Sequence, residues 1–207
     1  MNKTMQARKQ EAVQTAIFNA AIELFSRKGF NETTVDEIAE AAGVSQRSFF
    51  RYFPAKADVL GFGIPRNGAV LVSALAACPT GMSEIEVIRA VVLAGTEFSM
   101  KQPSTRQVIE ITARNDYARQ AHAAKIGELE LRLSEAYAAR FGESNRDRLR
   151  PRIMAKLTML VHDLTISSWF MNEAVDCASA LEIVLTRLSA LIGSIAPQTP
   201  PTATRLS

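Results

Sequence analysis

Arg47, Arg51 and Lys56 fall in the stretch GVSQRSFFRYFPAK, residues 43 to 56, and no acidic residue occurs between Ala41 and Ala57. Guanidinium groups at that density, beside the Gln46 amide and the hydroxyls of Ser45, Ser48 and Tyr52, offer donors to phosphates and to the acceptor edges of bases. On a helical wheel Phe49, Tyr52 and Phe53 share one side. Arg47 and Arg51 point the opposite way, with Ser48 and Phe50 at the edges of that face. A core helix would not carry the arginines, and a solvent-facing helix would not carry the aromatics. One side therefore meets the protein, and the other meets a large anion. A helix lying in the major groove of double-stranded DNA fits, with Gln46 and Arg47 near its N-terminus, where base edges are read. Pro54 ends the helix and suits the opening of the next, whose first amides, with Lys56, suit a phosphate.

The elements before this helix are the ones that must position it. Ile17, Ala20, Ala21, Leu24 and Phe25 form the buried stripe of a first helix. Gly29 suits the left-handed position that ends it, with Phe30 folding back on the last turn. Thr34 and Glu37 have capping-box spacing and open a second helix, whose stripe is Val35, Ile38, Ala39 and Ala42. Gly43 ends that helix, and two residues later Ser45 caps the third. Helices joined this tightly cross steeply. The result is a helix-turn-helix over about residues 34–53, with small Ala39 at the close approach and Val44 and Phe49 filling the corner.

Residues 12 to 60 resemble the DNA-binding domain of the TetR/AcrR family of bacterial transcriptional regulators. The resemblance is carried by Gly29-Phe30, Thr33-Thr34-Val35, Ile38-Ala39, Ala42-Gly43-Val44-Ser45, Phe49 through Phe53, Pro54 and Lys56. It implies an all-α, cytoplasmic homodimer of about nine helices per chain. A DNA-binding domain at 1–57 would precede a helical effector-binding and dimerisation domain at 58–196, with a disordered tail at 197–207. It also implies a repressor that binds a palindromic operator and is released by a small hydrophobic effector. Thr34, Gln46, Arg47, Ser48, Tyr52 and Lys56 match family DNA-contacting positions, and Ser45, Phe50 and Arg51 complete the expected surface. Phe50 departs from the tyrosine of many members. Either its ring packs on a sugar or thymine methyl, or Tyr52 takes over the backbone contact.

The remaining chain is expected to be helical. GFGIPRNG at 61–68 should break a connecting helix that begins at Pro54, with Pro65 as the kink. Ser83 and Glu86 form another capping box, for a helix to about Lys101. A long helix should run from Thr112 to Phe141, ended by Gly142, and another from Arg146 to Met171. From Ala178 the stripe Leu181, Leu185, Leu188, Leu191 and Ile192 repeats almost by heptads and is the expected dimer interface. Phe98, Met100, Tyr117, Met159 and Trp169, with Met82 and Phe170, are candidates to line an apolar effector pocket. Arg89, Arg106 and Arg114 are available for an anionic head group. Ser-Ser-Trp-Phe at 167–170 is similar to a TetR subgroup taken to sense acyl-CoA-like ligands.

Other function classes find little support. The net charge of +3 over 207 residues is too small for a bulk polyanion binder, so a nucleic-acid surface must be local. Cys78 and Cys177 lie far apart without metal-ligand spacing, so no disulfide framework, metal site or cofactor is expected. The apolar runs are interrupted by charges before reaching membrane-spanning length, so no membrane partner is expected. His122 and His162 are the only histidines, and neither belongs to HExxH; GxSxG and P-loop motifs are absent. His162-Asp163 is a poor acid–base pair, because adjacent helical residues point about 100° apart. A small helical enzyme is the weak alternative. An architectural DNA binder without effector is another, but it would not need the long C-terminal part.

Overall fold

The computed structural model describes residues 5–142, 149–171 and 176–195. Among them the chain forms nine α-helices and no strand: α1 (Met5–Lys28), α2 (Val35–Ala41), α3 (Gln46–Tyr52), α4 (Ile64–Ala77), α5 (Glu84–Met100), α6 (Thr105–Arg114), α7 (Asp116–Phe141), α8 (Leu149–Met171) and α9 (Cys177–Ile195). The expected start of α8 at Arg146 and the tail after Ile195 lie outside the described residues.

The helix ends follow local chemistry. Thr34 and Ser83 both close capping boxes, with Glu37 and Glu86 reaching back to the cap amides. Two expected boundaries differ. The connecting segment is a 3-10 turn over Lys56–Gly61, and α4 begins only at Ile64. Pro65 is not the breaker: it sits in the first turn of α4, where its missing N–H costs nothing. The long helix expected from Thr112 is two helices. Asn115 adopts extended backbone (φ −139°, ψ 116°), and its Oδ1 accepts from the Ala118 amide at 2.9 Å, so it starts α7 afresh.

Two apolar cores result. The first joins Ile17, Ala21, Phe25, Phe30, Ile38 and Phe49 to Val59 and Leu60, and also takes in Ile111 of α6 and Ala118 of α7. The head core thus does not stop at residue 57. The second unites α4, α5, α7, α8 and α9 through Leu71, Leu75, Val91, Leu133, Met159 and Leu181. Lys56–Ala77 is apolar and long enough to cross a membrane by composition. Here its residues Val59, Leu60, Leu71 and Leu75 are packed in these two cores.

Candidate nucleic-acid interface

The turn before α3 sets the aim of the whole site. Gly43 has φ +66°, a left-handed conformation that a side chain would oppose, and the Val44 amide returns to the Ala39 carbonyl at 2.9 Å. Ser45 then caps α3: its Oγ accepts from the Ser48 amide at 3.1 Å and lies 3.0 Å from the Ser48 hydroxyl. Phe49, fully buried, and Phe53 anchor the inner side, with ring centroids 5.9 Å apart. Gln46, Arg47 and Arg51 are exposed on the other side, as the wheel requires. Phe50 is 48% exposed and edge-on to Phe49. An exposed aromatic beside two arginines is available to a sugar or a methyl group.

Tyr52 and Arg51 form a unit. The Arg51 guanidinium donates to the Tyr52 hydroxyl at 3.2 Å and lies 4.8 Å from its ring centroid. Together they wall a cleft whose other side is Gln6, Lys9, Gln10, Val13 and Gln14 of α1. These α1 residues were not singled out in the sequence, because the recognisable stripe of α1 begins only at Ile17.

Thr34 takes its expected place as a cap, whereas Lys56 is placed differently from the expectation. Thr34 is the exposed cap of α2, and its amide and hydroxyl are both engaged by Glu37, at 2.8 and 2.9 Å. Glu37 also pairs with Lys28; that contact, followed by the Thr34 bonds, lowers its pKa to about 2. Lys56 turns inward. Its Nζ donates to the carbonyls of Phe30 (2.6 Å), Asn31 (3.2 Å) and Thr33 (2.9 Å) and lies 4.6 Å from the Phe30 ring centroid. All three ammonium protons have protein acceptors, so in this structure Lys56 holds the α1–α2 loop rather than offering itself to a phosphate.

The other candidates scatter. Met159 belongs to the second core, Phe98 and Met100 are half-buried at the end of α5, and Trp169 is covered by the Arg106 guanidinium 4.2 Å from its ring centroid. Tyr117 is 59% exposed and stands 6.3 Å from the Phe30 ring, so it belongs to the junction with the DNA-binding head and not to an interior pocket. Arg89 pairs with Glu182. Leu181 is only 2% exposed inside its own chain, and Leu185 and Leu188 pack against the same core. Of the expected interface stripe, only Leu191 and Ile192 face outward, at 61% and 58% exposure. Of the other three, Leu181 is fully enclosed in the protomer, and Leu185 and Leu188 are partly so. Leu149, Ile153, Leu160 and Met171 of α8 are also exposed, within about 40° of one another on the helical wheel.

The comparisons agree with this geometry. The pattern described as bacterial regulatory proteins of the tetR family matches residues 17–61, the helices just built. Residues 17–61 are a TetR-type DNA-binding domain. Over 206 residues it is 27% identical to the HTH-type transcriptional regulator TcmR of Streptomyces glaucescens, covering 94% of this chain and 87% of that protein. It is 44% identical to the regulator RutR of Escherichia coli over 50 residues, 24% of each chain. The fold matches NalD, the secondary repressor of the MexAB-OprM multidrug efflux pump in Pseudomonas aeruginosa, with a TM-score of 0.59 and 21% identity. That match covers 88% of this chain and 96% of that one. TetR proteins are DNA-binding transcriptional regulators, typically repressors, and these relatives are regulators and not enzymes.

Proposed function

We propose that this protein is a cytoplasmic, effector-responsive repressor of the TetR family that binds a palindromic operator as a homodimer. The observation that carries the reading is the acid-free outer face of α3, with Gln46, Arg47, Phe50 and Arg51 exposed on a helix fixed from behind by Phe49 and Phe53. Gln46 and Arg47 read base edges, while Ser45, Ser48, Thr34 and the Arg51–Tyr52 unit address the backbone. Leu191, Ile192 and the outward stripe of α8 meet their counterparts in a second copy. A small hydrophobic effector enters among the helices of residues 82–171, where Phe98, Met100, Met159 and Trp169 supply apolar surface. The likeness to acyl-CoA-sensing members rests on residues 167–170 alone.

A mobility shift on the DNA flanking the protein's own gene tests this directly. The expected outcome is one retarded species containing two chains and one palindromic site, with affinity falling steeply as salt rises. Equal affinity for scrambled duplexes of the same length would overturn the operator reading.

A further inference from the structure

The side of α1 that is buried from Ile17 onward carries amides and an ammonium in the turns before it. Gln6, Lys9, Gln10, Val13 and Gln14 recur at three- and four-residue spacing, and on the helical wheel Ile17 and Ala21 of the head core continue the same side. Facing these residues stand Arg51 and Tyr52 at the end of α3, and the two walls bound a cleft of about 650 Å³. No acidic residue lines it. Arg51 belongs to two surfaces: it is exposed on the outer side of α3, and its guanidinium donates to the Tyr52 hydroxyl at 3.2 Å. Having accepted that bond, the Tyr52 hydroxyl still has its own proton to give, and Arg51 retains further N–H groups. A helix that merely overhung its domain would show mixed charge all round, yet Arg8 and Glu11 both lie on the other sides of α1.

We infer that this cleft takes the sugar–phosphate backbone of the operator, so that each head holds one strand between α1 and the Arg51–Tyr52 unit, beside the groove that α3 enters. The inference rests on the reading of the chain as an operator-binding regulator and adds α1 to the DNA surface. Lys9 supplies the cation on the α1 side, and the exposed amides of Gln6 and Gln10 supply neutral donors to phosphate oxygens. The Tyr52 proton and the remaining Arg51 N–H groups supply the opposite wall. An anion is the occupant this chemistry fits, since cations, amides and a hydroxyl face it with no carboxylate to repel it. From Gln6 to Gln14 the donors spread over about 12 Å of helix, which suits a run of phosphates rather than one small anion. Contacts of this kind set affinity and salt dependence, and they leave sequence preference to Gln46 and Arg47.

Salt titrations of the full chain test the assignment on two duplexes: the one retarded in the mobility shift beside the protein's own gene, and a scrambled duplex of equal length. Lys9→Gln removes the ammonium and should weaken binding to both duplexes in similar proportion, with the slope of log K against log salt reduced by about one for each head bound. Lys9→Arg should restore the slope. Arg8→Gln removes the same charge one residue away, on the far side of α1, and should change the slope far less. Both positions are exposed, so thermal melts of the variants should match the parent. Neutral methylphosphonates scanned along one strand should reveal a linkage that weakens the parent protein and leaves Lys9→Gln unaffected. An unmoved slope in Lys9→Gln, or equal losses in Lys9→Gln and Arg8→Gln, overturns the inference. A parent protein that binds both duplexes alike, with the Lys9 effect intact, sinks the operator reading alone, and selective binding with no Lys9 effect sinks this assignment alone.

Discussion

Lys56 illustrates how one side chain is assigned by its surroundings. A lysine after a recognition helix suggests a phosphate contact, yet its three protons go to carbonyls that lie 26, 25 and 23 positions back in the chain. Lys56→Ala should therefore lower unfolding stability by about 1–3 kcal/mol while leaving the salt slope of operator binding unchanged. A slope reduced by about one would return Lys56 to the DNA. Arg47 makes the opposite case, being exposed near the start of α3. Arg47→Ala should keep the fold, cost about 1–3 kcal/mol of binding and relax preference at one position per half-site; undiminished selectivity in a site selection would refute the contact. Glu37 provides the pH handle. Its folded pKa, lowered to about 2 by Lys28 and Thr34, lies below the unfolded carboxylate value. Its contribution is thus present above the unfolded pKa and is lost as pH falls toward 2. Glu37→Gln should flatten that part of the acid limb in thermal melts. The capping role of Glu37 was legible in the sequence because cap and carboxylate are three residues apart. The role of Lys56 was not, because its partners are contributed by a distant loop.

At the scale of elements, α3 depends on what lies behind it. Phe49 is fully buried, with Phe50 and Phe53 against its ring. Phe49→Ala should cost about 3–5 kcal/mol, a large share of the stability of a small domain. Denaturant unfolding followed through α3 should show the head melting before the remainder. Retention of full stability together with operator affinity would mean that α3 is seated by other contacts. Such placements were readable because cap, turn glycine and stripe all act within a few residues. The break at Asn115 was not readable, since apolar spacing continues on both sides and asparagine is tolerated within helices. What interrupts the helix is tertiary. The Asn115 amide donates to Asn31 Oδ1 at 2.9 Å, while Ile111 and Ala118, flanking the break, enter the core of the head. Nor could any spacing reveal the cleft between α1 and α3, whose walls are far apart in the chain.

On the proposed function the molecule must transmit between a head that reads DNA and a body that holds an effector, and α6 with the start of α7 joins the two cores. Ile111 and Ala118 are inside the head core, Asn115 is bonded to the α1–α2 loop, and Arg106, in the first turn of the same helix as Ile111, covers Trp169 of α8. A shift in the body therefore reaches the head through packed contacts, and an effector and the operator oppose each other reciprocally if they favour different settings of this link. For that to govern a palindrome, two heads must be held about 34 Å apart or at a multiple of that spacing, which only a rigid dimer provides. The outward residues Leu191 and Ile192 and the α8 stripe are our candidate surface. Heptad spacing alone would have directed a charge to Leu188, but that side chain packs partly against its own core. Leu188→Glu would mix misfolding with dissociation. Leu191→Glu is the cleaner probe, because Leu191 is 61% exposed within the protomer and its charge becomes buried only on pairing. The variant should melt like the parent protein, sediment as a monomer and bind a full operator about a hundredfold more weakly through lost avidity, while its affinity for a single half-site stays unchanged. A Leu191→Glu protein that remains a tight dimer with full operator affinity would move the interface away from the end of α9.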